Sequence, residues 1–154
     1  MILITRPEDE AKKLSLILDQ KQIAYHRDSL ISFSILSKKE INITSNIFLI
    51  SSIQAIYSMQ KNNLFKNSDL ASGSFYVIGS RSSQLLKKLG MNQVEDTFAD
   101  FNSFNSFISY NKIKNQINYL CGDIITQEAE RAVESKKLNK IIQNLSKDYI
   151  SICL

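Results

Sequence analysis

Short apolar runs in this 154-residue chain stop repeatedly at hydroxyls, a guanidinium or a glycine. Thr5-Arg6 follows Ile2-Leu3-Ile4, and Ser51-Ser52 follows Ile47-Phe48-Leu49-Ile50. Gly79-Ser80, with Ser82-Ser83, follows Phe75-Tyr76-Val77-Ile78, and Gly122-Asp123 follows a run ending at Cys121. Taken one at a time, most such serines and threonines serve only to cap the next helix. As a set, hydroxyls, one guanidinium and backbone N–H groups at helix starts suit the binding of carboxylates or phosphates, through charge-assisted bonds and the helix dipole.

The same loops exclude several other chemistries. A dinucleotide site needs a glycine-rich turn after the first strand, and Thr5-Arg6-Pro7 has no glycine. No Gly-Lys-Ser/Thr phosphate loop is present, and a phospho-receiver would need carboxylates where Thr5 and Ser51 stand. Glu8, Asp9 and Glu10 read as first-turn helix charges. His26, the lone histidine, lies in an extended stretch without a nucleophile beside it, and Cys121 without a histidine reads as a packing residue. The residues present no metal cluster and no catalytic group is assigned, so a reaction here would rely on binding and shaping a substrate that carries its own reactivity.

The elements that would position these loops alternate. After Ile2-Leu3-Ile4, Pro7 opens a helix whose inward positions are Ala11, Leu14, Ile17 and Leu18. An extended stretch covers Ile23 to Phe33, and Ile47–Ile50 is apolar without alternation, as in a parallel strand buried on both faces. Ser51-Ser52 caps a helix through Ile53, Ile56 and Met59, while Leu85, Leu86 and Leu89 lie inward on another that Gly90 stops. Phe98, Phe101, Phe104 and Phe107 recur every third residue and read as one helix with an aromatic core face, since only Lys112 and Lys114 lie near enough to suggest a nucleic-acid platform. A further strand runs from Ile117 to Cys121, a helical segment from Gln127 to Leu145, and an extended tail from Tyr149 to Leu154. Strands alternating with helices predict an α/β fold with a mostly parallel sheet and a ligand site at the carboxyl ends of its strands.

Composition agrees with one ordinary domain: 44% hydrophobic residues, one proline and four glycines exclude fibrous and disordered classes. Cys121 and Cys153 match neither a disulfide scaffold nor a zinc spacing, which predicts a reducing, cytoplasmic location. No stretch has the length of a membrane span or the layout of a signal peptide. A net charge of +4 spread along the chain suits small anions and lacks the dense basic stripe of a nucleic-acid binder.

In this order the motifs resemble those of the uroporphyrinogen-III synthase family. Ile2-Leu3-Ile4-Thr5-Arg6-Pro7, with Ala11 and Leu14, is similar to that family's N-terminal Leu-Ile-Thr-Arg-Pro signature, and Leu30-Ile31-Ser32-Phe33 resembles its second strand. Ile47 to Ser52 resembles its strand ending in Thr-Ser. Ile78-Gly79, Ser82-Ser83, Leu86 and Gly90 fall at the spacing of its Val-Gly-x-x-Thr-Ala segment, and Tyr119 to Gly122 resembles its strand ending in Arg-Gly. This chain departs at Ser29, where the family has proline; near Lys21 and Gln22, where it has glycine; and at Cys121, where it has arginine.

The resemblance implies a flavodoxin-like α/β fold made of one lobe plus an N-terminal βα segment of a second. Residues 1-34 would be that segment of the first lobe, and 35-154 the second flavodoxin-like lobe. It also implies a lyase of haem biosynthesis that cyclises hydroxymethylbilane to uroporphyrinogen III, with inversion of ring D and without metal or organic cofactor. Thr5, Arg6, Ser51, Ser52, Gly79, Ser80 and Ser82 would then hold the carboxylates of this small-molecule polycarboxylate. No nucleic acid or membrane partner is expected, while exposed sheet edges would favour self-association. The alternatives are a shortened, non-catalytic homologue that binds anions or self-associates, and a flavodoxin-like ligand module of unrelated function.

Overall fold

The computed structural model describes residues 1-35, 43-113, 115-122, 127-134, 138-142 and 145-149. In chain order these form β1 (Ile2–Ile4), α1 (Glu8–Gln20), β2 (Tyr25–Arg27), β3 (Ile31–Ile35), β4 (Ile47–Ile50), α2 (Ile53–Lys61) and a 3₁₀ turn at Leu64–Lys66. They continue with α3 (Ser68–Ala71), β5 (Ser74–Ile78), α4 (Ser80–Lys88), β6 (Val94–Phe98), α5 (Phe101–Tyr110), β7 (Ile117–Cys121), α6 (Gln127–Glu134), β8 (Leu138–Ile142) and β9 (Leu145–Tyr149). Two compact units result, one of Met1–Ser34 with the returning segment that begins at Ser146, the other Ile35–Leu145. The sequence expectation ran the second lobe on to residue 154; the segment from Ser146 instead groups with the first unit because β9 pairs with β3.

The larger unit is a five-stranded parallel sheet in the order β6-β5-β4-β7-β8. Strand residues alternate between its two faces. Phe48, Ile50, Phe75, Val77 and Leu120 pack with Ala55, Ile56 and Met59 of α2 and Leu86 of α4. Leu49, Phe98, Ile117, Tyr119 and Cys121 pack instead with Phe101, Phe104 and Ile108 of α5 and Ala129 of α6. Both faces are therefore covered, which explains the unbroken apolar run of β4. Phe48 and Phe75 stack with ring centroids 5.3 Å apart, and the backbone of Gly73 passes so close to Phe48 that a side chain there would collide with the ring. At the amino end of the sheet, the buried Asn118 donates to the Ser45 carbonyl at 2.7 Å and accepts from the Thr44 hydroxyl at 3.0 Å, tying β7 to the approach to β4.

The smaller unit holds two two-stranded sheets. β1 and β2 run parallel, with Ile4, Ala11, Leu18 and Tyr25 between that pair and α1, and β3 pairs with β9. α1 starts where Pro7 implies: the Pro7 carbonyl accepts from the amides of Glu10 and Ala11. It buries Ala11, Ser15 and Leu18, whereas Leu14 and Ile17, expected to face inward, stand 38% and 48% exposed. Three helices end in the same way: α1, α4 and α5 each pass through a positive-φ residue, Gln22, Gly90 and Lys112, and the following amide reaches back to Leu18, Leu86 or Ile108.

Three further elements differ from what the sequence predicts. The expected helix from Gln127 to Leu145 is α6 followed by β8; Leu138 to Ile142 pair residue by residue with Ile117 to Cys121, so the sheet edge recruits a segment whose charges suggest a helix. Phe98 lies on β6 rather than on the aromatic helix, because Asp100 caps α5 and starts it at Phe101. The stretch from Ile23 to Phe33 is two strands, broken near Asp28, whose amide donates to the Ile4 carbonyl. Lys114, Asp123, Cys153 and the tail beyond Tyr149 lie outside the described residues.

Candidate functional site

In the larger sheet, the chain from β4 proceeds to β5 and β6 on one side before β7 appears on the other. The order reverses between β4 and β7, and in a parallel α/β sheet the crevice at the carboxyl ends of two such strands is where ligands bind. Ser51 and Ser52 leave β4 there, and Gly79 to Ser82 leave the neighbouring β5.

The paired serines turn opposite ways, as strand alternation requires. Ser51, in register with the face that carries Leu49, meets the Tyr119 phenol at 2.7 Å. Ser52 caps α2, its hydroxyl accepting from the Gln54 amide at 3.2 Å. Burial pushes the Tyr119 phenol up to about 12, against which the Ser51 hydrogen bond acts in the opposite sense. Tyr119 is thus a neutral phenol whose ring packs edge-on to Phe101 at 5.8 Å.

Gly79 takes φ 92°, a backbone that disfavours any side chain, and precedes α4 without a side-chain cap. Its amide donates to the Phe98 carbonyl at 2.8 Å, fixing the turn to the end of β6. Ser80 and Arg81 are exposed, Ser82 is buried, and Ser83 accepts a 2.9 Å bond from the Thr97 hydroxyl. Neither α2 nor α4 has an acidic residue in its first turn. α5 differs: Asp100 closes a capping box with Ser103, whose backbone N–H is the main cause of the lowered Asp100 pKa. The positive end of α5 is thereby already answered by its own cap, whereas the first turns of α2 and α4 hold no acid and that of α4 holds Arg81.

Of the residues singled out by sequence, Ser51, Ser52, Gly79, Ser80 and Ser82 share this edge. Thr5 and Arg6 occupy the equivalent place in the smaller unit, after β1; both are exposed, and the Thr5 carbonyl accepts from the Leu30 amide at 3.2 Å. His26 is exposed on β2, and Cys121 is buried in the core of the larger unit. Two residues at the edge had not been singled out as binding groups. Arg81 lies inside the serine run, and its sign within a first turn that has no acid was the available signal. Tyr119 shows itself only once β7 lies next to β4, two strands that are far apart in the chain.

These features define a flavodoxin-like α/β protein with a parallel sheet. No family model and no curated protein matches the chain. Among solved structures, it is similar to uroporphyrinogen-III synthetase from Helicobacter pylori 26695, with a TM-score of 0.58 and 14% identity over 84% of this chain. The match covers 59% of that protein's chain, and at this identity the likeness is one of fold. Among the described residues, no helix is long and apolar enough to cross a membrane.

Proposed function

We propose that the carboxyl edge of the larger sheet holds the carboxylates of a linear tetrapyrrole, and that the chain acts as a uroporphyrinogen-III synthase, cyclising hydroxymethylbilane with inversion of ring D. The observation that carries this reading is the pair of adjacent helix starts, α2 and α4, that have no acidic residue in their first turns and have Ser51, Ser52, Ser80 and Arg81 at them. The fold it shares with the Helicobacter pylori synthetase supports the same reading. Hydroxymethylbilane supplies its own electrophile when its hydroxyl departs, so the protein's task is to fix the carboxylates and orient the rings, and no side-chain nucleophile is called for. On this reading the binding residues are Thr5, Arg6, Ser51, Ser52, Gly79, Ser80 and Ser82, with Arg81 added, and no metal or organic cofactor takes part. Residues 1-34, with the segment from Ser146, belong to a first lobe and Ile35–Leu145 to a second, with the cytoplasm as the working compartment.

The test mixes purified protein with freshly prepared hydroxymethylbilane and resolves the product isomers. Uroporphyrinogen III in excess is the expected result, and uroporphyrinogen I alone, the uncatalysed product, would overturn synthase activity for this chain. A binding titration with the same substrate addresses the site separately. Arg81→Ala removes a charge-assisted donor worth roughly 1.5–3 kcal/mol and is expected to weaken binding about tenfold or more. Equal affinity in a folded variant would remove Arg81 from the site.

A further inference from the structure

Between β4 and β7 lies one hydrogen bond whose direction its surroundings decide. The two strands are in register with Leu49 opposite Tyr119, so Ser51, two residues further along β4, lies on the same face as Tyr119 and nearer the carboxyl edge. The long phenol spans that step and meets the Ser51 hydroxyl oxygen at 2.7 Å. On distance alone either oxygen could donate, but burial separates the two cases. Tyr119 is 3% exposed, and among the described residues Ser51 is the one hydrogen-bond partner of its phenol, whereas Ser51 itself is half-buried. Were Ser51 the donor, the phenol hydrogen would be left in the core without an acceptor, which is the costlier arrangement. The phenol therefore donates, and the Ser51 hydrogen must find its acceptor elsewhere. The Tyr119 ring is held in place for this: it packs edge-on to Phe101, the first residue of α5, whose start the Asp100–Ser103 capping box fixes.

We infer that Tyr119 is a positioning residue for Ser51: by donating to the Ser51 oxygen it turns the Ser51 hydrogen away from the sheet interior, so that Ser51 presents a donor to an anionic oxygen in the crevice at the carboxyl ends of β4 and β7. A hydroxyl that already accepts from a phenol is also the stronger donor, because hydrogen bonds in a chain polarise one another. The nature of the anion, a carboxylate of hydroxymethylbilane, rests on the function proposed above; the direction of the hydrogen bond does not.

Two measurements test the inference. In the ligand-free chain labelled with carbon-13 at the tyrosine Cζ, the Tyr119 resonance, assigned by its loss in Tyr119→Phe, should split in mixed light and heavy water because its donated proton exchanges slowly. Ser51→Ala should collapse that splitting; an unsplit line in the parent chain, or a splitting that survives Ser51→Ala, would overturn the donor assignment. The second measurement is a double-mutant cycle read by titration with freshly prepared hydroxymethylbilane. Ser51→Ala should weaken binding about tenfold, and Tyr119→Phe alone about three- to tenfold. Because Tyr119 acts through Ser51, adding Tyr119→Phe to Ser51→Ala should change the affinity less than about twofold. Far-UV circular dichroism verifies that each variant is folded. Equal weakening by Tyr119→Phe in both backgrounds would mean that the ring only supports the fold, and would overturn the positioning role. A parent chain that shows the split resonance but does not bind hydroxymethylbilane would overturn instead the function proposed above, and with it the ligand of Ser51, while the phenol would stand as the donor.

Discussion

Tyr119 is the residue through which pH should act. Its phenol, pushed up from 10.0 to about 12 by burial, is neutral in the folded chain. The linked stability is fully present below pH 10 and is lost as pH rises from 10 toward 12. Two pKa units correspond to about 2–3 kcal/mol, so urea midpoints of the wild type should fall steeply across that window, and those of Tyr119→Phe should fall much less. Gly73 makes a different demand at this scale. Gly73→Ala drives a methyl group into the Phe48 ring, and overpacking of this kind should cost about 1–3 kcal/mol in a chemical denaturation experiment. Neither role could be read along the chain, since Gly73 and Phe48, like Ser51 and Tyr119, meet only through strand pairing. The serines and glycine at the carboxyl edge of the larger sheet were legible because strand ends and helix starts are local events.

At the scale of the element, local grammar decided most starts and stops. Pro7 opened α1, Ser52 capped α2 and Gly90 ended α4 where the residue types place them. The grammar failed where a partner strand overrode it, as when β7 recruits Leu138 to Ile142 from an expected helix. The end of α1 offers a quantitative check. Gln22 holds φ 52° at the position where Gly90 stands after α4, and the resembling family has glycine near this point. Gln22→Gly should relieve the left-handed strain and stabilise the smaller unit by about 0.5–1 kcal/mol, seen as slower amide exchange in α1. Faster exchange would mean that the unfolded-state entropy of glycine outweighs that relief.

For the whole molecule, the two units should differ in cooperativity. The larger has two covered sheet faces and, among the described residues, all the largest fully buried side chains, whereas the smaller buries Ile4, Ala11 and Leu18 at the α1 contact. Native-state hydrogen exchange should therefore show amides of β1, β2 and α1 opening at lower free energy than those of β4, β5 and β7. Uniform protection across both sets would contradict this ranking. The pairing of β3 with β9 carries a further consequence. Successive βα steps bring β4, β5 and β6 together over short spans, but β3 must wait for a strand more than a hundred residues later in the chain. Closing so long a loop costs less entropy once the intervening sheet has formed, so the smaller unit should complete itself last in refolding, and during synthesis only once Leu145–Tyr149 has left the ribosome.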